Sequence, residues 1–159
     1  MNRRTLLTAG AVGLAALAGC GGTDSGTDET PTGTDTTTPT TPTMTDESFT
    51  VVQTSSGQER DEASITVDGA TVTVEGTIWG ADGCTTAELA DASDDVSADE
   101  LTVAVATTQR TGTGTDACTQ AIVEIDYRAT VTFENGLPGT VVVTHDRGDG
   151  VQTVTSTSP

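Results

Sequence analysis

The residue of this chain best suited to acid–base chemistry is its one histidine, His145, which is followed directly by Asp146. A hydrolase of the Ser-His-Asp type also needs a nucleophile, and the sequence contains no G-x-S-x-G nucleophile elbow. A blue-copper site uses two His ligands, a free Cys and usually a Met, so a single His excludes it. We therefore expect His145 to be a strand-end residue that hydrogen-bonds locally, and we predict no catalytic residue, no cofactor and no enzyme activity.

Cys84 and Cys118 are two further candidates for chemistry, separated by 34 positions. Two thiols can bind a metal, carry out redox reactions or form a disulfide. The chain has no C-x-x-C pair and only one His, which makes metal or redox chemistry the weaker alternative. We predict a disulfide, which would stabilise the domain by about 3–4 kcal/mol by restricting the unfolded chain.

Carboxylates are grouped in two places, and their oxygens are the ligands that Ca²⁺ prefers. Neither group has the spacing of an EF-hand loop, and acidic residues are abundant throughout the chain. The sequence therefore favours solvated acidic surfaces and no metal site, with a calcium-binding module as an alternative. The two groups are Asp91, Asp94, Asp95, Asp99 and Glu100, and Asp146 with Asp149.

Trp79, the only tryptophan, is the residue that could contact a ligand. An exposed indole can stack on a sugar ring, whereas a buried indole anchors a hydrophobic core. Trp79 closes an alternating apolar run and precedes Gly80. The pattern favours a core anchor, with ligand contact as the second interpretation.

The segments that carry these residues alternate apolar and polar positions with the period of two that is typical of half-buried strands. Ile65 and Val67 begin such a run, Asp68-Gly69 is a favoured two-residue hairpin turn, and a second run starts at Val72. About seven strands result, spaced as in an all-β, antiparallel two-sheet sandwich. The other runs occupy residues 49–53, 101–108, 122–133, 139–146 and 151–157.

Residues 85–95 fit two different structures. Thr85 and Glu88 have the spacing of a helix capping box, but Ala87, Leu89 and Asp91 alternate as in a strand. We favour a strand.

The N-terminal residues resemble export signals. Residues 6–18 are mostly apolar, too short for a membrane-spanning helix of about 20 residues, and suited to a signal peptide. Leu17-Ala18-Gly19-Cys20 resembles the lipobox of prokaryotic lipoproteins, in which the Cys thiol receives a diacylglyceryl group and the preceding peptide is removed. We predict a signal peptide over residues 1–19 and a lipid anchor on Cys20.

Arg3 and Arg4 resemble the paired arginines of a twin-arginine signal, which exports folded proteins. Asn2 and Leu6 depart from the residues usual in that signal, and a Sec signal with two arginines is the alternative.

Low-complexity sequence follows Cys20. Twelve of the 27 residues in 21–47 are Thr, and none is aromatic. Such a segment buries too little apolar surface to offset its ordering entropy, so residues 20–47 are predicted to be the lipidated Cys plus a disordered Thr/Pro/Asp spacer. If extended, the spacer would reach on the order of 80 Å. Residues 48–159 then form one domain.

Charge limits the partners of this protein. The chain has 24 acidic residues, six arginines and no lysine, and removal of residues 1–19 leaves a formal charge of −20. Nucleic acid and anionic membrane surfaces are excluded as partners because they carry the same sign of charge. Salt at molar concentration would screen the self-repulsion, so the composition resembles that of proteins from salt-loving archaea.

The lipobox, the acidic Thr-rich spacer and the segments GCTTAEL and ACTQAIVEIDYRATVTFENGLPGTVVVTHD together resemble a family of uncharacterised haloarchaeal lipoproteins. The resemblance implies a location on the extracellular face of the cell membrane and assigns no activity. We expect a lipid-anchored binding or scaffolding domain, with an envelope or surface-layer protein as a possible partner. A calcium-binding module and an envelope enzyme are the alternatives.

Overall fold

The structure, a computed structural model, describes residues 41–110 and 117–159, which form eight β-strands and no helix. The predicted signal peptide, Arg3, Arg4, Cys20 and most of the predicted spacer lie outside these residues. The first strand starts at Thr43, five residues before the predicted domain start at Ser48. In chain order the strands are β1 Thr43–Ser56, β2 Glu62–Asp68, β3 Thr71–Gly80, β4 Thr85–Asp95, β5 Glu100–Gln109, β6 Val123–Glu134, β7 Thr140–Asp146 and β8 Val151–Thr157.

The strands form two four-stranded sheets that pack as a sandwich, which confirms the predicted fold class. The first sheet has the order β1-β6-β3-β2 and the second the order β4-β5-β7-β8. Within the described residues, β5 and β7 are a parallel pair in an otherwise antiparallel arrangement. They can run in the same direction because the chain between them passes through β6 in the opposite sheet.

The core consists mainly of valine and isoleucine that alternate along the central strands. Six inward-facing residues of β6 are nearly inaccessible to solvent, and each fully buried aliphatic side chain stabilises the fold by about 1.5–3 kcal/mol. They meet buried residues of β3, β5 and β7 in one apolar cluster. The β6 residues are Val123, Ile125, Tyr127, Ala129, Val131 and Phe133.

The β2–β3 hairpin turns one residue later than the sequence predicts. Asp68 pairs with Thr71, so Gly69 and Ala70 are the two loop residues. Gly69 has a φ of 59°, whereas Ala70 is not among the residues with positive φ. This combination matches a turn with glycine at its first central position, in which only that residue requires positive φ.

Residues 85–95 form strand β4, as favoured from the sequence, with an irregularity that the alternation did not reveal. The register with β5 shifts between Leu89 and Asp91, which leaves Ala90 as an extra residue. Beyond the bulge the half-buried positions are Ala92 and Asp94, while Asp91 is exposed.

Strands β3, β5 and β7 finish at one end of the sandwich, which we call the disulfide end because Cys84 and Cys118 lie there. Residues 57–61 cross this end from β1 to β2, the two edges of the first sheet. The crossing segment is held by a bond from the Gly57 amide to the Ile122 carbonyl (3.2 Å). A second bond joins the Gln58 amide to the Glu124 carboxylate (3.0 Å).

In the part of the chain that is described, no helical segment has the length and hydrophobicity that crossing a membrane requires.

Candidate functional site

A buried hydrogen bond between Tyr127 and His145 connects the two sheets near the disulfide end. Tyr127 lies on β6 and His145 on β7, with 1% and 2% of their surfaces exposed. The Tyr127 hydroxyl and His145 Nε2 are 2.7 Å apart, and the rings meet edge to face with centroids 5.6 Å apart. Phe49 stacks on the other side of Tyr127, also at 5.6 Å. The imidazole is thus fixed in the core by aromatic packing.

Asp61 and Arg147 extend this bond into a chain of four polar side chains. Asp61, in the crossing segment, places Oδ1 3.0 Å from His145 Nδ1. Its second oxygen, Oδ2, accepts a hydrogen bond from the Arg147 guanidinium. Since a carboxylate only accepts, Nδ1 of a neutral His145 donates to Asp61, and Nε2 accepts the Tyr127 hydroxyl proton.

Burial keeps His145 neutral. Desolvation lowers its pKa from the ordinary 6.5 to about 4. The Asp61 carboxylate, which faces Nδ1, is shared with the Arg147 guanidinium. Desolvation also raises the pKa of Tyr127. Both side chains are therefore uncharged at neutral pH, which suits their place in an apolar core.

The Asp61–His145–Tyr127 arrangement resembles a catalytic triad in which Tyr127 and His145 are buried. The Tyr127 hydroxyl lies against Gly76, where a Cβ would approach the hydroxyl oxygen to 2.5 Å. Tyr127 is 1% exposed and forms part of the lining of a depression in the first sheet. The expectation of local hydrogen bonds for His145 was wrong, because its partners lie 18 and 84 residues away in the chain.

An open pocket of about 470 Å³ adjoins the polar chain at the disulfide end. Trp79 and Arg147 line one part of it, and the Arg147 guanidinium lies 4.9 Å from the indole centroid. Arg147 also donates to Asp149 over 3.2 Å. The pocket therefore has a preformed wall, in which a cation–π contact and two carboxylates hold the arginine.

The opposite part of the pocket is formed by the start of β4 and the end of β5. Gln109 Nε2 donates to the Thr85 hydroxyl (3.2 Å), which itself donates to Asp82 (3.0 Å). These hydrogen bonds, led by the one from Thr85, lower the pKa of Asp82. Gly80 permits close packing here, since a Cβ at that position would lie 2.5 Å from the Thr85 side chain.

Cys84 and Cys118 lie beside this wall at disulfide-bonding distance, with Cα atoms 5.3 Å apart. This is the pair that the sequence predicts. With Asp82 they are the one group of three possible metal ligands found among the described residues. Because the two sulfurs are bonded to each other, they are not available as metal ligands.

The acidic groups singled out in the sequence form local contacts. Asp95 caps the β4–β5 turn by accepting bonds from the Ser97 amide (2.9 Å) and the Ala98 amide (3.1 Å). Desolvation, then the charges of Asp99 and Asp95, raise the pKa of Asp94. In the described part of the chain these side chains do not converge as a set of metal ligands. Asp146 accepts from the Gly148 amide (2.8 Å), and Asp149 pairs with Arg147.

A second depression, of about 450 Å³, crosses the first sheet. Its acidic side chains already have partners: Glu75 pairs with Arg128 (2.5 Å), and Asp126 accepts from the Thr77 hydroxyl (2.7 Å).

The favoured interpretation of Trp79 as a core anchor was wrong, since the indole is half-buried, lies outside the apolar core cluster and lines the pocket. Sequence reasoning missed Asp61, Tyr127 and Arg147. Arg147 had a weak signal, since it is one of only four arginines outside the predicted signal peptide. Asp61 had none, because nothing in a run of acidic and polar residues marks the one that points inward.

Comparison of the chain with models of protein families, with curated proteins and with solved structures finds no match.

Proposed function

We propose that this protein is a lipid-anchored, extracytoplasmic binding domain of a salt-adapted cell, attached to the outer face of the membrane through Cys20. The observation that carries the binding function is the Trp79–Arg147 pocket, whose wall is fixed before any ligand arrives. Fixed geometry favours binding because fewer side chains lose freedom when the ligand associates.

Binding is a better interpretation of this pocket than catalysis. Its lining contains hydroxyl, amide, guanidinium and carboxylate groups but no histidine or thiol. The Thr85 hydroxyl, which faces a carboxylate, is 4% exposed and accepts from Gln109 as well. The neighbouring His145 points into the core and does not line the pocket. The one carboxylate in the lining, that of Asp149, is paired with Arg147.

The buried polar chain supports the pocket from behind. Asp61 binds both His145 and Arg147, so the position of the guanidinium over Trp79 depends on the hydrogen bonds in the core. His145 and Tyr127 are positioning residues in this proposal, since they act through Asp61 and Arg147.

The proposed location rests on the lipobox at Cys20 and on the charge of the mature chain. A spacer of residues 21–42, which ends where β1 begins, would separate the domain from the lipid and bring it close to an envelope or surface-layer protein. The strong negative charge supports a partner other than nucleic acid.

Cys20→Ser tests the anchor. We expect the wild-type protein to sediment with membranes at native salt and Cys20→Ser to lose that association, because serine has no thiol for the lipid. Thr27→Ser, a neutral change in the predicted spacer, should behave as the wild type. Equal membrane retention of Cys20→Ser and wild type would refute the anchor.

Crosslinking in intact cells tests the binding role. The tagged wild-type protein should capture a reproducible envelope partner or ligand, identified by mass spectrometry, and Trp79→Ala should capture at least about fivefold less. Capture that is unchanged by Trp79→Ala would place the binding surface elsewhere on the domain.

A further inference from the structure

The Trp79 pocket joins one aromatic surface to several uncharged hydrogen-bonding groups. Trp79 contributes an aromatic ring, and Thr107, Thr108 and Gln109 are polar residues of the lining. These three residues close strand β5 at the pocket rim. An aromatic ring beside a small number of placed polar groups is a common composition of sites that bind small polar molecules.

The charges in the pocket are already paired. Arg147 is neutralised by Asp61 and Asp149, and it occupies the position over Trp79 that a cationic ligand would take. An anionic ligand would have to compete with two carboxylates for Arg147, within a mature chain of formal charge −20. A neutral ligand neither competes with the carboxylates for Arg147 nor is repelled by the negative charge of the chain.

The polar groups can both donate and accept. Gln109 uses one amide hydrogen for Thr85, which leaves its second hydrogen and its carbonyl oxygen for other partners. The Asp149 carboxylate, with 60% of its side chain exposed, binds Arg147 through Oδ2 and keeps accepting capacity. Donors and acceptors on the two sides of the pocket match the hydroxyl groups of a polyhydroxylated ring, each of which donates and accepts.

We propose that the Trp79 pocket binds a saccharide: a neutral polyhydroxylated ring that contacts Trp79 beside the Arg147 guanidinium and hydrogen-bonds to Gln109 and Asp149. The pocket volume of about 470 Å³ accommodates a ligand of one or two rings. This inference rests on the proposed binding function and specifies its ligand class.

Fluorescence gives a direct test because Trp79 is the only tryptophan in the chain. The purified protein would be titrated at molar KCl with glucose, galactose, mannose, maltose and cellobiose, and calorimetry would run in parallel in case the emission is insensitive. We expect a saturable signal with at least one of these sugars. Glucuronate and glycine betaine serve as anionic and zwitterionic ammonium probes.

Two glutamine variants provide matched controls. Gln109→Ala should weaken binding by about tenfold, the loss typical of one or two hydrogen bonds. Gln53→Ala removes an exposed glutamine of β1 outside the pocket and should leave the affinity unchanged. Equal effects of the two variants, binding of the charged probes alone, or the absence of both a saturable sugar signal and periodate-sensitive binding to cell envelopes would overturn the proposal.

Free sugars and protein-attached glycans share this chemistry, and isolated cell envelopes distinguish them. If the source is a glycan, the domain should bind envelopes and lose that binding after periodate cleaves the vicinal diols. If the source is a free sugar, the titration succeeds without envelope binding. Envelope binding that resists periodate, with no sugar titration, would refute the saccharide but leave the anchored binding domain intact.

Discussion

His145 is a buried neutral imidazole whose two nitrogens have different roles. Nδ1 donates to Asp61 and Nε2 accepts from Tyr127, so protonation at Nε2 would remove the acceptor of the Tyr127 proton. The residue therefore links the stability of the sandwich to pH through hydrogen bonding and burial together.

The folded-state pKa of His145, about 4, lies below its ordinary value of 6.5. The stability contributed by the neutral imidazole is therefore complete above pH 6.5 and is lost as the pH falls toward 4, up to a limit of about 3 kcal/mol. We expect the free energy of unfolding of wild type to approach that of His145→Gln over this interval, measured by urea unfolding at molar salt. Parallel pH profiles of the two proteins would contradict this expectation, since the other titrating groups are common to both.

Gly76 leaves the space that the Tyr127 hydroxyl occupies. A Cβ there would lie 2.5 Å from the hydroxyl oxygen and 2.7 Å from the Glu62 carbonyl oxygen. Because backbone and a core ring must both shift, Gly76→Ala should lower the free energy of unfolding by about 2 kcal/mol. Gly139→Ala is the matched control, since its Cβ meets mainly the carboxylate end of the exposed Asp99 side chain, which can turn away. Comparable urea midpoints for the two variants would show that the core can adapt at Gly76.

At the scale of the elements, the disulfide end is held together by backbone hydrogen bonds at the ends of strands, outside the regular pairing of the sheets. The Arg110 amide bonds to the Cys84 carbonyl (2.9 Å), and the Gly83 amide bonds to the Thr119 carbonyl (2.9 Å). These bonds bring the start of β4, the end of β5 and the segment before β6 together around Cys84 and Cys118. The pocket wall and the disulfide therefore share their supports.

Replacement of Cys84 and Cys118 by serine should lower the free energy of unfolding by about 3–4 kcal/mol. Without the disulfide, the unfolded chain is no longer restricted by a crosslink between residues 34 positions apart. Urea unfolding at molar salt measures the difference, and reduced wild type should match the double variant. Two thiols that react with a thiol reagent in native wild type would contradict the prediction.

At the scale of the whole molecule, acidic residues dominate the surface and the core is small and rich in valine. The described cations are engaged with carboxylates or hydroxyls: Arg60 with Glu62, Arg110 with Thr54, Arg128 with Glu75, and Arg147 with Asp61 and Asp149. Most of the negative charge is therefore balanced by cations from the solvent.

Salt should stabilise the protein because the Debye length falls from about 10 Å at 0.1 M to about 3 Å at 1 M, which screens repulsion among the acids. We expect the melting temperature to rise by at least about 5 °C between 0.1 and 2 M KCl, the shift that corresponds to roughly 1 kcal/mol in a domain of this size. Sucrose at equal osmolality, which does not screen charge, should give a smaller increase. A melting temperature that is insensitive to KCl would argue against salt adaptation.

The sequence by itself determined the sandwich, because alternating apolar residues can bury only one face of a strand, and two such sheets must pack on each other. It also identified the Cys84–Cys118 pair, since few other partners exist for these thiols. The exact turn at Gly69 and the bulge at Ala90 could not be predicted from the sequence, because each depends on the register with a neighbouring strand.

Only the tertiary structure decided the polar chain and the pocket. Asp61, Tyr127, His145 and Arg147 come from two sheets and two connecting segments, and no local pattern specifies which of many polar side chains meet across the core. Trp79 was a candidate from composition alone, but its pairing with Arg147 depends on β3 and β7 finishing at the same end of the sandwich. Periodicity fixes which face of a strand is buried, whereas contacts between distant segments follow from the packing of the whole chain.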